Sequence, residues 1–295
     1  MSEMIDFKSG FVAIIGKPNT GKSTLMNRIL GEKLSITSPK PQTTRYAIKG
    51  ILNEAKHQIV FVDTPGYLKP RYAMQEKMLR IWYDALKDVD LIVFLADLTE
   101  FPSDYDREVL EHLKYLKNPQ LAVFNKLDLA KNPDLEALKS QLPASVNEVL
   151  CVSALTGENI PLLLETIDKY IPYHEPYYSE DQLSDLPMRF FARETIREAI
   201  FHQFEQEIPY STAVLIERFS EQADKAVIDA VIWLDRQSQK PILIGRNGEN
   251  LKRIREYAET QLTAFMDIPV QIDLWVKINP NWRKKATALK ELGFN

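Results

Sequence analysis

Residues 16–24 read GKPNTGKST and match the pattern G-x-x-x-x-G-K-[ST], whose fixed positions are Gly16, Gly21, Lys22 and Ser23. The apolar run GFVAIIG that leads into it is typical of a buried strand, and GKSTLMNRIL is typical of a helix. In the order strand, loop, helix this pattern wraps the phosphates of a nucleotide, because backbone N–H groups at a helix N-terminus point at the anion. The stretch therefore predicts an α/β domain built around a phosphate loop.

The phosphate loop also predicts which groups meet which part of the nucleotide. The N–H groups of residues 17–23 are expected to surround the α- and β-phosphates, Lys22 to neutralise the β- and γ-phosphates, and Ser23 to bind Mg²⁺. Asp63 ends the apolar run HQIVFVD, where an aspartate reaches the same ion. Gly66, in the DTPG that follows, can offer its N–H group to the γ-phosphate.

The segment FNKLD at 124–128 predicts that the base is guanine. Asp128 can accept hydrogen bonds from the N1–H and amino groups of guanine, a donor pair that adenine lacks. Asn125 is expected to bond the opposite edge of the base, Lys126 to cover its ring, and the N–H group of Ala154 to reach the guanine carbonyl. Because a buried carboxylate without a partner is costly, adenine should be rejected, which excludes a metabolic kinase with this loop.

These motifs predict a GTP site with a bound Mg²⁺ ion. The segment PKPQTTRY fits the first switch loop of the translation-factor-related GTPases, which these motifs resemble, and a threonine there would complete the Mg²⁺ shell. We favour Thr44, with Thr43 as the alternative that the spacing leaves open. The expected catalytic residues are Lys22, Thr44 and Gly66, and the expected Mg²⁺ ligands are Ser23, Thr44 and Asp63. The residues expected to bind GTP are Gly16, Lys17, Pro18, Asn19, Thr20, Gly21, Lys22, Ser23, Thr24, Asp63, Thr64, Pro65, Gly66, Asn125, Lys126, Asp128, Ser153, Ala154 and Leu155.

Tyr67 follows DTPG at the position where many GTPases carry a glutamine that orients water. An aromatic ring cannot act as that polar clamp, so the chain resembles the hydrophobic-substituted class, whose intrinsic hydrolysis is slow. In related members of that class an asparagine of the phosphate loop helps to bind K⁺, and Asn19 matches its position. K⁺ is therefore expected as a second cation, the alternative being an asparagine tolerated in a tight loop.

The rest of the chain predicts two domains and a linker. Apolar strands alternate with helices up to residue 173, which is typical of a mostly parallel sheet with helices on both faces. We assign 1–173 to the GTP-binding domain and 174–187, rich in proline, tyrosine and acidic residues, to a linker. Residues 188–295 predict helix, strand, strand, helix, helix and strand, then a C-terminal helix, in a smaller α+β domain.

The stretch GRNG at 245–248 opens a helix in this second domain. In KH domains a G-x-x-G loop joins two helices and clamps a nucleic-acid backbone, and the element order here matches the type II KH arrangement. An apolar helical stripe and a local basic patch follow the loop. Arg246 and Lys252 are the expected phosphate partners, and a solvated helix face is the alternative. The residues expected to bind RNA are Gly245, Arg246, Asn247, Gly248, Lys252 and Arg253.

Composition narrows the cellular setting. The chain is 45% hydrophobic and 26% charged, as in ordinary globular proteins, and its net charge of −4 argues against diffuse binding to nucleic acid, so RNA contact needs a local basic patch. No apolar run reaches transmembrane length, and the N-terminus is unlike a signal peptide. The single cysteine, Cys151, allows no internal disulfide bond. We expect a cytoplasmic monomer.

Over nearly its whole length the chain resembles the Era family of bacterial GTPases. The resemblance rests on GKPNTGKST, ITSPKPQTTR, DTPG, NKLD, SAL, GRNG and the tail W…ALKELGF. It implies a role in maturation of the small ribosomal subunit, with the KH domain bound near the 3′ end of the small-subunit ribosomal RNA. It also implies a cytoplasmic protein that associates peripherally with the inner membrane. Asn247 departs from the glycine or basic residue that members often carry there.

Two other functions fit parts of the sequence. One is a tRNA-modification GTPase, which we disfavour because that family ends in a reactive cysteine motif, whereas this chain ends in ELGFN. The other is a GTPase signalling module whose second domain docks protein instead of RNA. Bound RNA in a pulldown would separate this last possibility from the ribosomal role.

Overall fold

The computed structural model describes residues 6–130 and 133–294 of the 295-residue chain. The chain forms two compact units. The first contains the residues up to Lys69 together with Met78–Asp185, and the second contains Pro70–Lys77 together with the residues from Leu186 onward. Within the described ranges, no helix has both the length and the apolar character that crossing a bilayer requires.

The first unit is built on a six-stranded sheet in the order β2-β3-β1-β4-β5-β6. Strand β2 is antiparallel to β3, and every other neighbouring pair is parallel, which confirms the predicted phosphate-loop α/β fold. Its strands are β1 Lys8–Ile15, β2 Ile48–Asn53, β3 His57–Asp63, β4 Leu91–Asp97, β5 Gln120–Asn125 and β6 Glu148–Cys151. Its helices are α1 Lys22–Leu30, α2 Ala73–Asp84, which also supplies residues to the second unit, α3 Asp104–Leu113, α4 Leu135–Lys139 and α5 Ile160–Asp168.

The parallel register brings the predicted motifs to one edge of this sheet. Ile14 pairs with Asp63, and Asp97 pairs with Asn125, so the carboxyl ends of β1, β3, β4 and β5 lie side by side. Ligands of open α/β sheets bind at this edge, because the loops that leave the strands meet there. Strands β3, β4 and β5 are almost completely buried.

The segment predicted as the linker, residues 174–187, packs along the edge strand β2. The N–H group of Ile51 donates to the carbonyl oxygen of Leu183 at 2.9 Å, as in a sheet. Gln58 is buried, its amide oxygen accepts from the N–H groups of Tyr177 and Tyr178, and its amide nitrogen donates to the carbonyl oxygen of Tyr178. The bond from Ile51 satisfies a backbone group of the edge strand, and the bonds of the Gln58 side chain tie the segment to β3.

The second unit contains a three-stranded sheet in the order β7-β8-β9, with β7 antiparallel to β8 and β9 parallel to β8. Helices α6 and α9 pack on the sheet and on each other around a single apolar core. This is the predicted α+β KH arrangement. The elements are α6 Met188–Gln203, α7 Ile208–Ser211, β7 Thr212–Glu221, β8 Ala226–Leu234, α8 Gln239–Ile244, α9 Glu249–Met266, β9 Val270–Ile278 and α10 Ala286–Glu291.

The C-terminal helix is shorter than the run NWRKKATALKELGF at 281–294, over which the sequence predicts it. A 3₁₀ turn at Trp282–Lys284 comes first, and the extended backbone of Lys285 separates it from α10. Trp282 is fully buried, and its indole N–H group donates to the carbonyl oxygen of Ser211 at 2.9 Å. Anchoring this tryptophan sets the local backbone, so tertiary packing overrides the continuous helix that residue preferences favour.

Candidate functional site: a nucleotide cavity and a separate glycine-framed loop

The two fixed glycines of the phosphate loop lie where no other residue fits. Gly16 has a φ of 152° and Gly21 a φ of 94°, a region that L side chains rarely adopt. A Cβ atom on Gly16 would lie 2.2 Å from the carbonyl oxygen of Leu95, and one on Gly21 would lie 2.3 Å from Nδ2 of Asn125. The loop is therefore held tightly by its neighbours, with its backbone shaped for an anion.

Lys22 begins α1 and is buried inside the loop. Its Nζ donates to the carbonyl oxygen of Lys17 at 2.8 Å and lies 3.4 Å from that of Gly16. Burial lowers the pKa of Lys22 to about 8, against the opposing effect of the negative charge of Asp63. A negatively charged phosphate group near this amine would favour its protonated form and so oppose the effect of burial on its pKa.

Three oxygen-bearing side chains converge beside Lys22. The hydroxyl of Ser23 lies 2.7 Å from Oδ2 of Asp63 and 3.0 Å from the hydroxyl of Thr44. Asp63 is fully buried, and its Oδ1 has no hydrogen-bond partner among the described residues. Burial raises the pKa of Asp63, and the charge of Lys22 and the hydrogen bond from Ser23 oppose that rise. Oxygen ligands with an unsatisfied buried carboxylate fit Mg²⁺, so the residues present suit the ion that the sequence predicts.

The geometry also separates the two candidate threonines of the first switch loop. Thr44 lies against Ser23 in this oxygen cluster. The hydroxyl of Thr43 instead donates to the carbonyl oxygen of Lys40 at 2.8 Å, within its own loop. The arrangement supports Thr44, which the sequence favours, as the threonine near the metal site.

The segment DTPG lies directly against the phosphate loop. The hydroxyl of Thr64 donates to the carbonyl oxygen of Ile14 at 2.9 Å. A Cβ atom on Gly66 would lie 2.6 Å from the backbone nitrogen of Pro18, so only glycine allows this approach. The N–H group of Tyr67 donates to the carbonyl oxygen of Gly16 at 3.0 Å, so the start of the second switch segment is hydrogen-bonded to the phosphate loop.

The ring of Tyr67 belongs to the core. Tyr67 is 8% exposed, its ring centroid lies 5.2 Å from that of Trp82, and its hydroxyl lies 3.4 Å from Nε2 of His112. Tyr67 also lines the nucleotide cavity. The position where many GTPases carry a glutamine is thus occupied by a ring that packs against the core and has no amide to orient water.

The base-recognition residues lie at the ends of β5 and β6. Asp128 stands in a short 3₁₀ turn, and one of its carboxylate oxygens accepts a hydrogen bond from the hydroxyl of Ser153 at 2.5 Å. Lys126 adopts a left-handed backbone conformation, and its ammonium pairs with Asp97 at 2.5 Å. Although burial acts in the opposite direction, hydrogen bonds from Lys126 and Thr99 hold the pKa of Asp97 below its usual range.

Asn125 connects the loops around the base, a role that the sequence does not predict. Its Nδ2 donates to the carbonyl oxygen of Thr20 at 2.7 Å, and its Oδ1 accepts from the N–H group of Ala154 at 2.9 Å. Arg28 of α1 adds hydrogen bonds to the carbonyl oxygens of Ala154 and Leu155. The expected contact of Asn125 with the base edge is therefore accompanied by a structural role that ties the phosphate loop to the SAL segment.

One cavity of about 1050 Å³ connects the phosphate loop with the base-recognition residues. Its lining includes residues from both ends of the predicted site, among them Lys17, Gly21, Asn125, Lys126, Asp128 and Ala154. A second opening beside Ser23 is lined by the first switch loop, including Thr43 and Thr44. The volume is at the upper end of small-molecule sites and is ample for a nucleoside triphosphate.

The GRNG loop of the second unit is a different kind of site. Gly245 and Gly248 have φ angles of 76° and 79°, and Asn247 lies in the left-handed region at 52°. A Cβ atom on Gly245 would lie 2.7 Å from Cγ of Asn250, whereas one on Gly248 would meet no atom within 4 Å. The loop is therefore open on the side of Gly248, where another backbone can approach.

The predicted basic residues of this loop are not equivalent. Lys252 lies 3.6 Å from Glu256, and Arg253 pairs with Glu249, both one helical turn along α9. Exposed pairs of this kind are weak and exchange readily for other partners. Arg246, which is exposed, has no ion-pair partner within the described parts of the chain and remains the principal candidate for a phosphate contact.

A cavity of mixed polarity adjoins the loop, and the RNA-binding residues predicted from the sequence do not include Trp275, which lines it. A cavity of about 300 Å³ between α9 and β9 is lined by Gly248, Leu251, Lys252, Arg255, Asp273, Leu274 and Trp275. Trp275 is 48% exposed. An exposed indole beside a backbone-clamping loop offers a surface on which a base can stack.

Comparisons with known proteins match both units. A family model described as 50S ribosome-binding GTPase matches residues 11–126, and a KH domain model matches residues 207–283. The chain is 42% identical over 294 residues to GTPase Era of Caldicellulosiruptor saccharolyticus, and 44% identical over 294 residues to GTPase Era of Clostridium botulinum strain Langeland. In each case 98% of both chains is covered.

Solved structures are similar over the same length. A crystal structure of Era in complex with MgGDPNP and nucleotides 1506–1542 of 16S ribosomal RNA superimposes with a TM-score of 0.94 at 37% identity, covering 98% of this chain and 99% of that one. A variant of Era from Aquifex aeolicus bound to GDP and AlF4⁻ superimposes with a TM-score of 0.93 at 38% identity and the same coverage.

Proposed function

The chain belongs to the Era family of GTPases, and from that premise we propose that it is a GTP-driven switch that binds small-subunit ribosomal RNA near its 3′ end and assists maturation of that subunit. The observation that carries the proposal is the full-length likeness to a relative crystallised with MgGDPNP and the 3′ segment of 16S ribosomal RNA. Both sites that such a relative uses have counterparts here, in the nucleotide cavity and the GRNG loop.

Nucleotide binding divides between the two ends of the cavity. The backbone of the phosphate loop and the ammonium of Lys22 bind the phosphates, while Asp128 accepts from the guanine donors. Ser23, Thr44 and Asp63 would hold Mg²⁺, which supplies charge neutralisation at the phosphates. Asn125 keeps the phosphate loop and the SAL segment in register, so that both ends of GTP can be bound together.

Hydrolysis relies on backbone groups and charge, because Tyr67 is committed to the core. The N–H group of Gly66 and the hydroxyl of Thr44 are the groups that we assign to the γ-phosphate region. Without a glutamine at position 67 to orient water, the intrinsic rate is slow, and an external group or a second cation must assist.

K⁺ is the second cation in this proposal. The amide nitrogen of Asn19 donates to the carbonyl oxygen of Pro39 at 2.8 Å, which leaves its amide oxygen as the atom to ligate a cation beside the phosphates. Exchanging K⁺ for Na⁺ should slow hydrolysis, and Asn19→Ala should remove that difference. A parent enzyme that hydrolyses GTP equally fast in both salts would exclude this role of Asn19.

The second unit binds RNA through the GRNG loop and through the exposed indole of Trp275 beside it. The backbone of Gly245–Gly248 grips the ribose-phosphate chain, and Arg246 neutralises a phosphate. Lys252 and Arg253 contribute by exchanging their acidic helix partners for RNA phosphates. Trp275 receives an unstacked base, which gives the surface affinity without requiring the whole chain to be basic.

The direct experiment is crosslinking to total RNA in the presence of a non-hydrolysable GTP analogue, followed by sequencing of the bound fragments. Enrichment of the 3′ end of small-subunit ribosomal RNA is the expected result. Protein partners with no enriched RNA would favour the alternative, a signalling module whose second domain docks protein. The proposal includes a cytoplasmic monomer with peripheral association at the inner membrane, which fractionation and sedimentation test.

A further inference from the structure

Lys17, the second residue of the phosphate loop, has an ammonium group that is nearly buried among polar groups before and in the first turn of α3. The side chain is 9% exposed. Its Nζ lies 2.9 Å from a carboxylate oxygen of Glu100, 3.4 Å from the hydroxyl of Ser103 and 3.7 Å from Oδ2 of Asp106. The function described above uses only the backbone of Lys17.

Of the groups around this ammonium, Ser103 and Asp106 are held by hydrogen bonds to each other, whereas the side chain of Glu100 is 65% exposed. Ser103 and Asp106 form a capping box, in which the Ser103 hydroxyl accepts from the N–H group of Asp106 and Asp106 Oδ2 accepts from the N–H group of Ser103 at 2.9 Å. Asp106 is fully buried, and its Oδ1 has no hydrogen-bond partner within the described ranges. A buried carboxylate is stable only with compensating partners, so the charge of Lys17 is matched to this position.

The other end of Lys17 meets the group expected at the phosphates. The carbonyl oxygen of Lys17 accepts from Nζ of Lys22 at 2.8 Å and from the hydroxyl of Thr20 at 3.2 Å. The same residue is thus bound through its side chain to α3 and through its backbone to Lys22. A shift of its ammonium would move the peptide that orients the Lys22 ammonium.

We propose that Lys17 is a positioning residue for GTP hydrolysis, which acts by fastening the phosphate loop to the capped start of α3 and thereby orienting Lys22. The inference rests on the proposed place of Lys22 at the phosphates. Catalysis by fixed charges depends strongly on geometry, since misplacement of about 1 Å costs about 100-fold in rate. The side chain of Lys17 therefore contributes without touching GTP.

A direct contact with phosphate is the competing role for this lysine, and it predicts a different pattern. If Lys17 leaves the acidic groups to reach a phosphate, its loss weakens GTP and GDP binding, and Glu100→Gln, which releases the ammonium, strengthens binding. A positioning role predicts little change in GDP affinity and a fall in kcat. Glu100→Gln should then lower kcat slightly or leave it unchanged.

The test compares the parent with Lys17→Met, Lys17→Arg and the neutral pair Lys17→Met with Asp106→Asn. For each, kcat and KM for GTP, GDP affinity and the thermal midpoint are measured. Lys17→Met alone leaves the buried Asp106 carboxylate with its hydrogen bonds from Ser103 but without the nearby ammonium, and should lower the midpoint, whereas the neutral pair removes that buried charge and should recover it. We expect kcat to fall about 10- to 100-fold in both, with KM and GDP affinity within about threefold of the parent. Lys17→Arg, which keeps the charge, should retain most of the activity.

Recovery of kcat together with the midpoint in the neutral pair would show a structural role only and would overturn the inference. Parallel losses of GTP and GDP affinity would overturn it in favour of direct phosphate contact. Lys22→Ala is the reference variant, because full turnover without Lys22 would refute the proposed site itself. Normal turnover in the Lys17 variants alone would refute only the positioning role.

Discussion

The phosphate loop and the GRNG loop both place glycines before a helix, but their surroundings differ. Around Gly16 the backbone of β4 is so near that a Cβ atom would lie 2.2 Å from the carbonyl oxygen of Leu95. Around Gly248 a Cβ atom would meet nothing within 4 Å. The phosphate loop is packed against the sheet at the wall of the nucleotide cavity, and the GRNG loop lies on an open surface beside the half-exposed Trp275.

Glycine therefore serves two purposes at helix starts. In the phosphate loop it permits close packing, which fixes N–H groups before the ligand arrives and suits a compact anion. In the GRNG loop it removes bulk from an open surface, which lets a long chain lie across it. The two loops should therefore respond differently to the same substitution.

The largest expected effect is at the phosphate loop. Lys22→Ala removes a buried ammonium aimed at the phosphates, and GTP turnover should fall about 1000-fold, because phosphoryl transfer depends on positioned charge. A single-turnover assay at saturating GTP measures it. Arg246→Ala is the matched control, since it removes a cation from the open loop and should leave turnover unchanged.

The next largest effect is expected at the end of the nucleotide cavity that binds the base. Asp128→Asn presents an amide donor where the carboxylate accepts, so GTP affinity should fall about 100-fold or more while xanthosine triphosphate binds better. Competition binding of the two nucleotides measures the switch. Retention of the full preference for GTP would mean that Asp128 does not read the base.

The same substitution, glycine to alanine, is expected to change the free energy of unfolding by different amounts in the two loops. Gly16→Ala forces a Cβ atom against backbone and should lower the free energy of unfolding by about 3 kcal/mol. Gly248→Ala meets open space and should cost about 1 kcal/mol, for its positive φ alone. Urea unfolding followed by fluorescence measures both, and equal costs would contradict the assignment of one loop as packed and the other as open.

The smallest effect concerns a single charge on the open loop. Arg246→Ala removes one phosphate contact, so the slope of log affinity against log salt should become shallower by about 0.7 for single-stranded RNA. Filter binding at several KCl concentrations measures the slope. Because Lys252 is paired with Glu256 on α9, Lys252→Ala should change the slope less.

The motifs of the nucleotide cavity predict its local structure, because they have a fixed spacing and a required order of strand, loop and helix. Lys22, Ser23, Asp63 and Asp128 all lie where that order implies. The spacing does not choose between the threonines of the first switch loop, and only the hydroxyl contact with Ser23 favours Thr44.

The contacts that the sequence misses are long-range. The pairing of Lys17 with Asp106 joins residues 89 positions apart, and the bonds of Gln58 with the linker join residues about 120 apart. No local pattern encodes them, since they depend on how the sheet is assembled. Trp275 was detectable, because it occupies an outward-facing position of β9 in the alternating run VQIDLWVKI.

The two glycine-framed loops are expected to serve separate ligands, which is tested by measuring the binding of RNA and the turnover of GTP on one variant. Gly248→Asp adds bulk and negative charge where RNA must approach. Affinity for a short RNA carrying the 3′ small-subunit sequence should fall below detection, while GTP turnover of the same preparation stays at the parent value. Unchanged RNA affinity, or a parallel loss of turnover, would contradict the account.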